Sequence, residues 1–267
     1  AEGDLLRQPE LAATLGRIEK NGASEIYTGR TARMIADDMR AHGGLLTYED
    51  LKAYKAKERT PIRGSYRGYP IISIPPPSSG GIVMLEVLNM LEGFDIRSKQ
   101  YTSAAKYHLL IEAMRRAFAD RAEFMGDPDF TDVPVERLTS RTYAELRRRT
   151  IDANHASASI NVGHGEIPGS ESTDTTNFAV VDDAGMAVVN TYTINDLFGS
   201  RVTAKGTGIL MNDEMDDFAA RPGQPNMFGL IQGERNAVGS GKRPLSSMTP
   251  TIVLRKDGTF WFGLGAR

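Results

Sequence analysis

The residues of this 267-residue chain that could do chemistry fall in a few short stretches. One is Glu171-Ser172-Thr173-Asp174-Thr175-Thr176-Asn177-Phe178-Ala179-Val180-Val181, where a polar Ser/Thr run gives way to a strand-like alternation. Asp183-Ala184-Gly185 follows as a turn with glycine third, where a type I turn plus G1 bulge needs a positive φ. That loop sets Asp182 opposite Met186, so Val181 faces Ala187 and Thr175 faces Thr193. Two threonine hydroxyls then lie side by side at the open end of one hairpin. Asp213-Glu214-Met215-Asp216-Asp217 holds Glu214 and Asp217 at i,i+3. Ser246-Ser247 precedes a last hairpin, and Ser78-Ser79-Gly80-Gly81 follows Pro75-Pro76-Pro77. There is no cysteine, and His42, His108, His155 and His164 form no i,i+3 or i,i+4 pair. Neither a thiolate nor a metal site is expected, and no cofactor is called for. What remains is the chemistry of hydroxyls, carboxylates, amines and backbone. Each stretch also has an ordinary structural explanation: a hairpin, a solvated acidic turn at a helix start, a helix cap.

The elements that would carry these stretches are those of an ordinary globular chain. It is 40% hydrophobic and 25% charged, with net charge −2, which gives no electrostatic reason to expect nucleic acid. No run approaches the ~18 apolar residues of a membrane span. Ala1-Glu2-Gly3-Asp4 has neither the pattern of a signal peptide nor that of a natural start.

Helices are expected over 9–20, with Leu11, Leu15 and Ile18 on one face, and over 29–41, with Ala32, Ile35 and Met39 inward. Thr47-Tyr48-Glu49-Asp50 reads as a capping box. Residues 61–74 alternate like strands about Arg67-Gly68-Tyr69-Pro70. The three prolines force an extended segment. Ser78 or Ser79 then caps a helix over 80–92, with Met84, Leu85, Leu88 and Leu91 inward. Exposed amides at that helix start could hold an anion; the plainer role is a rigid lead into a core helix. It is not a phosphate loop, since no Gly-Lys-Ser/Thr follows.

A helix over 102–124 should bury Tyr107, Leu110, Ile111, Met114 and Phe118, with His108 a satisfied core residue. A further helix, 141–150, ends in Arg147-Arg148-Arg149, and 152–173 reads as a flexible polar linker. The loop 221–243 has the length of a lid or binding loop. The last hairpin joins 251–256 to 259–263 through a two-residue Asp257-Gly258 turn. Gly265-Ala266-Arg267 leaves a β element with no helix to cover it.

In chain order, several motifs together resemble the γ-glutamyltranspeptidase family over essentially the whole sequence. They are Gly43-Gly44-Leu45, Tyr66-Arg67-Gly68-Tyr69, Pro75 to Gly81, Asp174-Thr175-Thr176, Asn190-Thr191-Tyr192-Thr193-Ile194-Asn195, Gly208 to Phe218, and Lys242-Arg243-Pro244-Leu245-Ser246-Ser247-Met248. The resemblance implies an α/β (α+β) chain with the four-layer αββα sandwich of N-terminal-nucleophile hydrolases, incomplete here because family members are about twice this length. It implies a precursor that cuts itself between Asp174 and Thr175. Residues 1–174 would then be the C-terminal part of a large subunit, mostly helical, with the polar linker at 152–174. Residues 175–267 would be the β-rich N-terminal part of a small subunit carrying the nucleophile, and the two parts would form one interleaved domain. An export signal and a carboxylate-binding arginine would precede Ala1, and a Gly-Gly oxyanion hole would follow Arg267. Localisation would be periplasmic or extracellular.

The resemblance assigns Thr175 as nucleophile and Thr193 as its hydroxyl partner. Asn195, Glu214 and Asp217 would face the donor's ammonium, Ser246 and Ser247 its carboxylate, and Phe228 would be the aromatic gate of a lid loop over 221–233. Asn177 stands where a histidine is often found. The expected activity is γ-glutamyl hydrolysis or transfer from glutathione and related small molecules to water, amino acids or peptides. A glutaryl or cephalosporin acylase is the alternative. A glutaryl group has no α-amine to occupy Glu214 and Asp217, and the presence of both acids favours glutamyl. The isolated chain, lacking the arginine and the glycine pair, is expected to be inactive.

Overall fold

The computed structural model describes residues 3–163 and 175–265. Asp174, with Glu171, Ser172, Thr173 and His164, lies outside the described residues. In chain order come α1 (Pro9–Asn21), α2 (Ser24–Tyr27), α3 (Arg30–Ala41) and α4 (Tyr48–Ala53). The hairpin β1 (Ile62–Tyr66) and β2 (Tyr69–Ser73) precedes α5 (Gly80–Glu92), α6 (Ala104–Phe124), α7 (Val135–Leu138) and α8 (Arg141–Arg148). Then follow β3 (Thr175–Val181), β4 (Ala187–Thr193), β5 (Thr203–Ala204), β6 (Ile209–Leu210), β7 (Thr251–Leu254) and β8 (Phe260–Leu264). The class is mixed α/β, as expected, and the described sheets are open.

The chain divides into two units. One comprises residues 1–58 and 194–213, the other 59–193 and 214–267, so both draw on residues from either side of Thr175. In the first unit α3 buries Ala32 and Ile35 as expected, and the capping box at α4 is present: Asp50 N donates to Thr47 Oγ1 at 3.1 Å and Thr47 N to Asp50 Oδ2 at 2.8 Å. The expected face of α1 is corrected. Leu15 is 56% exposed, while Thr14 is buried and donates to Thr207 O at 2.7 Å. A polar cluster occupies that interface. Arg17 donates to Thr14 and Thr31, and Glu25 accepts from Asn21 and from the amide and hydroxyl of Thr31. The Asn21 amide first, then both Thr31 donors, lower the Glu25 carboxyl to about 2.

In the second unit an antiparallel sheet runs β1-β2-β7-β8. Its inner residues Ile62, Ile71 and Val253 pack with Ile82 and Leu85 of α5. Val87, Met90 and Leu91 of α5 pack instead with Leu109, Ala113 and Ala117 of α6 and Ala144 of α8. The single inward face expected for α5 is therefore corrected. A helix held between a sheet and other helices is buried nearly all round.

The face expected for α6 is also corrected: Tyr107, Ile111 and Met114 are 49%, 53% and 41% exposed. The buried stripe is Leu109, Glu112, Ala113, Arg116, Ala117, Asp120 and Arg121. Its alanines let α5 approach closely, and its charges are paired or hydrogen-bonded within the unit. His108 is partly exposed, its Nε2 2.7 Å from Asp152 O.

Within that interface Glu86 of α5 is fully buried, and neither carboxyl oxygen has a hydrogen-bond partner among the described residues. Burial, and then the neighbouring Asp120, raise its carboxyl well above the usual carboxylate range. Asp120 itself receives the Tyr143 hydroxyl at 2.9 Å and pairs with Arg147 at 2.9 Å. When the chain unfolds, Glu86 ionises at its ordinary value. Above that value the native state holds the extra proton, so stability falls as pH rises toward the folded value. Glu86→Gln keeps the shape without the proton uptake. Its melting midpoint is expected to exceed that of the parent by a margin that grows as pH rises above the ordinary carboxylate range. A midpoint below the parent at every pH would refute a neutral Glu86.

The β3–β4 and β7–β8 turns each use glycine at positive φ. At Gly185 (φ +85), Asp182 N donates to Met186 O at 3.0 Å, the three-residue loop expected. At Gly258 (φ +87), Arg255 N donates to Thr259 O at 2.8 Å and Gly258 N to Arg255 O at 2.9 Å. This turn also has a three-residue loop rather than two. Asp257 Oδ1 accepts the Thr259 amide at 2.9 Å, an Asx contact that favours the longer turn.

Candidate active site

The β3–β4 hairpin has the expected register, Val181 opposite Ala187 and Thr175 opposite Thr193. Asp182 and Met186 form a hydrogen-bonded pair, and alternation along an antiparallel ladder makes every second pair non-hydrogen-bonded. Counting back, Thr175–Thr193 is of the second kind, in which Cα atoms lie about 4.5 Å apart and side chains are closest. The Asn177–Thr191 pair on the same face shows this proximity: Asn177 Nδ2 donates to Thr191 Oγ1 at 2.7 Å. This face rests on Gly263 of β8 and on Gly265 just after it, which have no side chains. A Cβ at Gly265 would stand 3.0 Å from Thr191 Oγ1, and one at Gly263 would stand 3.5 Å from Ala179 Cβ. Thr175 and Thr193 are both half-buried.

Glu214 and Asp217 open and close one 3-10 turn. Asp217 O accepts from Gln232 Nε2 at 3.2 Å and Asn236 Nδ2 at 2.8 Å. Asn236, 1% exposed, also accepts the Leu245 amide at 3.0 Å. One buried side chain thus ties the acidic turn to the segment leading into Ser246 and Ser247. Asn195 belongs to the other unit, where it is buried at φ +76 with Nδ2 directed at Asp213 O, 3.3 Å away. Phe228 is half-buried in a tight turn in which Asn226 Oδ1 accepts the Phe228 and Leu230 amides at 3.0 and 2.9 Å.

The serine pair is held against the start of α5. Ser246 N donates to Pro77 O at 2.9 Å and Ser79 N to Ser246 O at 2.8 Å. Ser79 Oγ donates to Ser246 O at 2.9 Å and Ser78 Oγ to Met248 O at 2.6 Å. Two expectations are corrected here. The prolines turn rather than extend, with Ser78 N donating to Pro75 O at 3.2 Å, because Ser78 must bridge to Ser246. Ser79 occupies the N-cap position without capping by its side chain, its hydroxyl being committed to Ser246. The amides of this helix start are buried, not exposed to an anion. Gly80 permits the approach, since a Cβ there would lie 2.7 Å from Met248 O and 2.8 Å from Ser247 O.

Sequence reasoning missed Asn236, Gln232, Ser79 and Arg121 as supports of these loops. For Arg121 no local pattern marked the stripe of α6 it shares with Ala113 and Ala117 as the buried one. For Asn236, in a loop rich in Gly, Pro and Asn, there was none. Concavities of about 450 Å³ (lined by Arg33, Asp37 and Tyr48) and 300 Å³ (lined by Tyr66, Arg97 and Leu110) contain no expected site residue. Among the described residues no cluster of His, Asp and Glu could hold a metal, and no helix is long and apolar enough to cross a membrane.

The family profile described as Gamma-glutamyltranspeptidase matches residues 1–267. The chain is 50% identical over 265 residues to the glutathione hydrolase proenzyme of Escherichia coli K12, an alignment covering 99% of this chain and 46% of that protein. Among solved structures it is similar to the cephalosporin acylase of Bacillus halodurans, with a TM-score of 0.79 at 30% identity over 96% of this chain and 44% of that one. It is also similar to the γ-glutamyltranspeptidase of Helicobacter pylori, with a TM-score of 0.59 at 44% identity over 61% of this chain and 47% of that one. The chain spans about half the length of the curated relatives it matches.

Proposed function

This chain belongs to the γ-glutamyltranspeptidase family, and we propose that it is the part of a self-cleaving γ-glutamyl hydrolase/transferase that contains the nucleophile. The observation that carries the reading is the Thr175–Thr193 pair at the open end of the hairpin, one residue beyond Asp174. A threonine hydroxyl is a weak nucleophile until a base takes its proton. Cleavage of the Asp174–Thr175 bond gives Thr175 a free α-amine with a pKa of about 8, so one residue supplies both groups. In the precursor, Thr175 Oγ attacks the Asp174 carbonyl. The peptide nitrogen leaves as the α-amine, and water opens the resulting ester. In turnover, Oγ attacks the γ-glutamyl carbonyl while the α-amine takes its proton and returns it to the departing amine. Water, an amino acid or a peptide then accepts the glutamyl group. The Thr193 hydroxyl orients Oγ, and branching at the Thr175 Cβ restricts χ1.

Glu214, Asp217 and Asn195 would receive the donor's ammonium and Ser246 with Ser247 its carboxylate, while Phe228 gates access. Residues up to Asp174 would end a large subunit and Thr175 would begin a small one, in a protein exported to the periplasm or beyond. The reading is tested on the full-length protein by intact mass and N-terminal sequencing. A terminus reading Thr-Thr-Asn-Phe is expected, and a single uncut, active chain would refute it.

The similarity to a cephalosporin acylase favours a second reading, cleavage of a glutaryl side chain. Asp217 separates the two, because a glutaryl group has no ammonium. Asp217→Ala is expected to lower kcat/KM for a γ-glutamyl donor by at least ~100-fold and for the matching glutaryl donor by far less, as loss of a charge-assisted contact implies. Equal losses would overturn the ammonium assignment.

A further inference from the structure

We propose that Arg121 is a positioning residue for the carboxylate subsite, setting Ser247 to donate its hydroxyl proton to a substrate carboxylate and placing a buried cation behind it. This rests on the reading of Ser246 and Ser247 given above. Arg121 lies on the buried stripe of α6, 3% exposed. Its Nε donates to Ser79 Oγ at 2.9 Å, and its Nη2 lies 3.3 Å from both Ser247 Oγ and Leu245 O. Ser79 Oγ passes its own proton to Ser246 O at 2.9 Å. One planar guanidinium thus spans the start of α5 and the segment on either side of Ser246, which a lysine's single nitrogen cannot do.

The direction of these bonds decides the chemistry. A guanidinium only donates, whereas a serine hydroxyl has one proton and two lone pairs. Ser247 Oγ therefore accepts from Arg121 and keeps its proton to give. Among the described residues nothing accepts that proton. At 3.3 Å the bond from Nη2 is long for a charge-assisted contact. A cation 3.3 Å behind a hydroxyl makes that hydroxyl a stronger donor. Ser247 is half-buried, while Arg121 is almost wholly buried, so the serine is the group that presents this charge to a ligand.

The test uses the full-length processed enzyme with two donors, γ-glutamyl-4-nitroanilide and the same compound with its α-carboxylate converted to carboxamide. Arg121→Lys is expected to raise KM for the carboxylate donor about tenfold, the worth of one charge-assisted hydrogen bond, and kcat by little. KM for the carboxamide donor should be unchanged. An equal rise for both donors would overturn the proposal and leave Arg121 a structural tie. Should Arg121→Lys lose its cooperative melt, Ser79→Ala decides. It keeps the guanidinium and the Ser79 backbone bonds but removes the acceptor at Nε. A smaller rise confined to the carboxylate donor is expected, and an unselective change or none would overturn the proposal. Ser247→Ala separates the two levels of argument. If it produces no carboxylate-selective loss, the subsite reading fails. If it does and the Arg121 and Ser79 variants do not, only the role of Arg121 fails.

Discussion

Replacing Thr175 with alanine is expected to leave the full-length protein as one uncut polypeptide and to lower γ-glutamyl turnover by at least ~10⁴-fold, the scale on which removing a catalytic nucleophile acts. Both losses follow from one atom, since Oγ is the proposed attacking group in the precursor and in the mature site. Thr175→Ser keeps a hydroxyl and loses only the methyl that restricts χ1, so it should still cut and turn over, more slowly. Thr193→Ala should fall between, with the nucleophile present but its cross-strand partner gone. The measurements are intact mass, N-terminal sequence and steady-state rate on the same preparations. Scission of Thr175→Ala at the same bond would remove Thr175 from the mechanism. The backbone strand should survive in all three variants, because the hairpin's register comes from its glycine turn and its ladder and not from these side chains.

Glu112→Ala is expected to cost about 3–5 kcal/mol of stability, the usual result of removing one partner from a buried ion pair. Glu112 and Arg116 are 1% and 2% exposed, with Oε2 and Nη1 2.7 Å apart. Glu112 also accepts the Ser157 amide at 3.0 Å and its hydroxyl at 2.6 Å, and Arg116 donates to Thr150 Oγ1 at 2.6 Å. Arg115 reaches Ser159 Oγ at 2.5 Å. The first part of the segment expected to be a flexible linker is therefore pinned to α6. Burial acts to raise the Glu112 carboxyl, but Ser157 and Arg116 outweigh it and hold it at about 2. A carboxyl depressed on folding adds stability above its unfolded value of 4.5, and that stability is lost as pH falls toward about 2. Urea midpoints of the parent should drop across this window, while those of Glu112→Gln, already lower at neutral pH, should drop less. Parallel acid limbs would exclude Glu112 as a titrating group there.

The hairpin geometry around Thr175 was legible from residue order alone. Asp182 to Met186 contains its own turn instruction, a glycine where positive φ is required, and a period-two ladder then counts Thr175 to Thr193 without further information. The same local logic placed the capping box at Thr47 and the helices at Gly80 and Ala104. It failed at Asp257-Gly258, where the Asx contact to Thr259 favours a longer loop than the dipeptide signals. The faces of α5 and α6 were not legible. Apolar periodicity assumes one buried side, but α5 is buried on two, and the stripe of α6 that is buried carries Glu112, Arg116, Asp120 and Arg121. Those charges look like a solvated face until their partners are known: Arg147, Thr150 and Ser157 from the stretch after α6, and Ser79 from before it.

The sequence by itself determined the family, the hairpin register and the identities of the hydroxyls and carboxylates available for chemistry, because these depend on local turns, alternation and residue type. Only the tertiary structure decided what stands behind them. Asn236 joins Asp217 to Leu245, and Arg121 stands behind Ser247, because burial rewards polar groups that find each other across long separations in sequence, and no local pattern records which ones will.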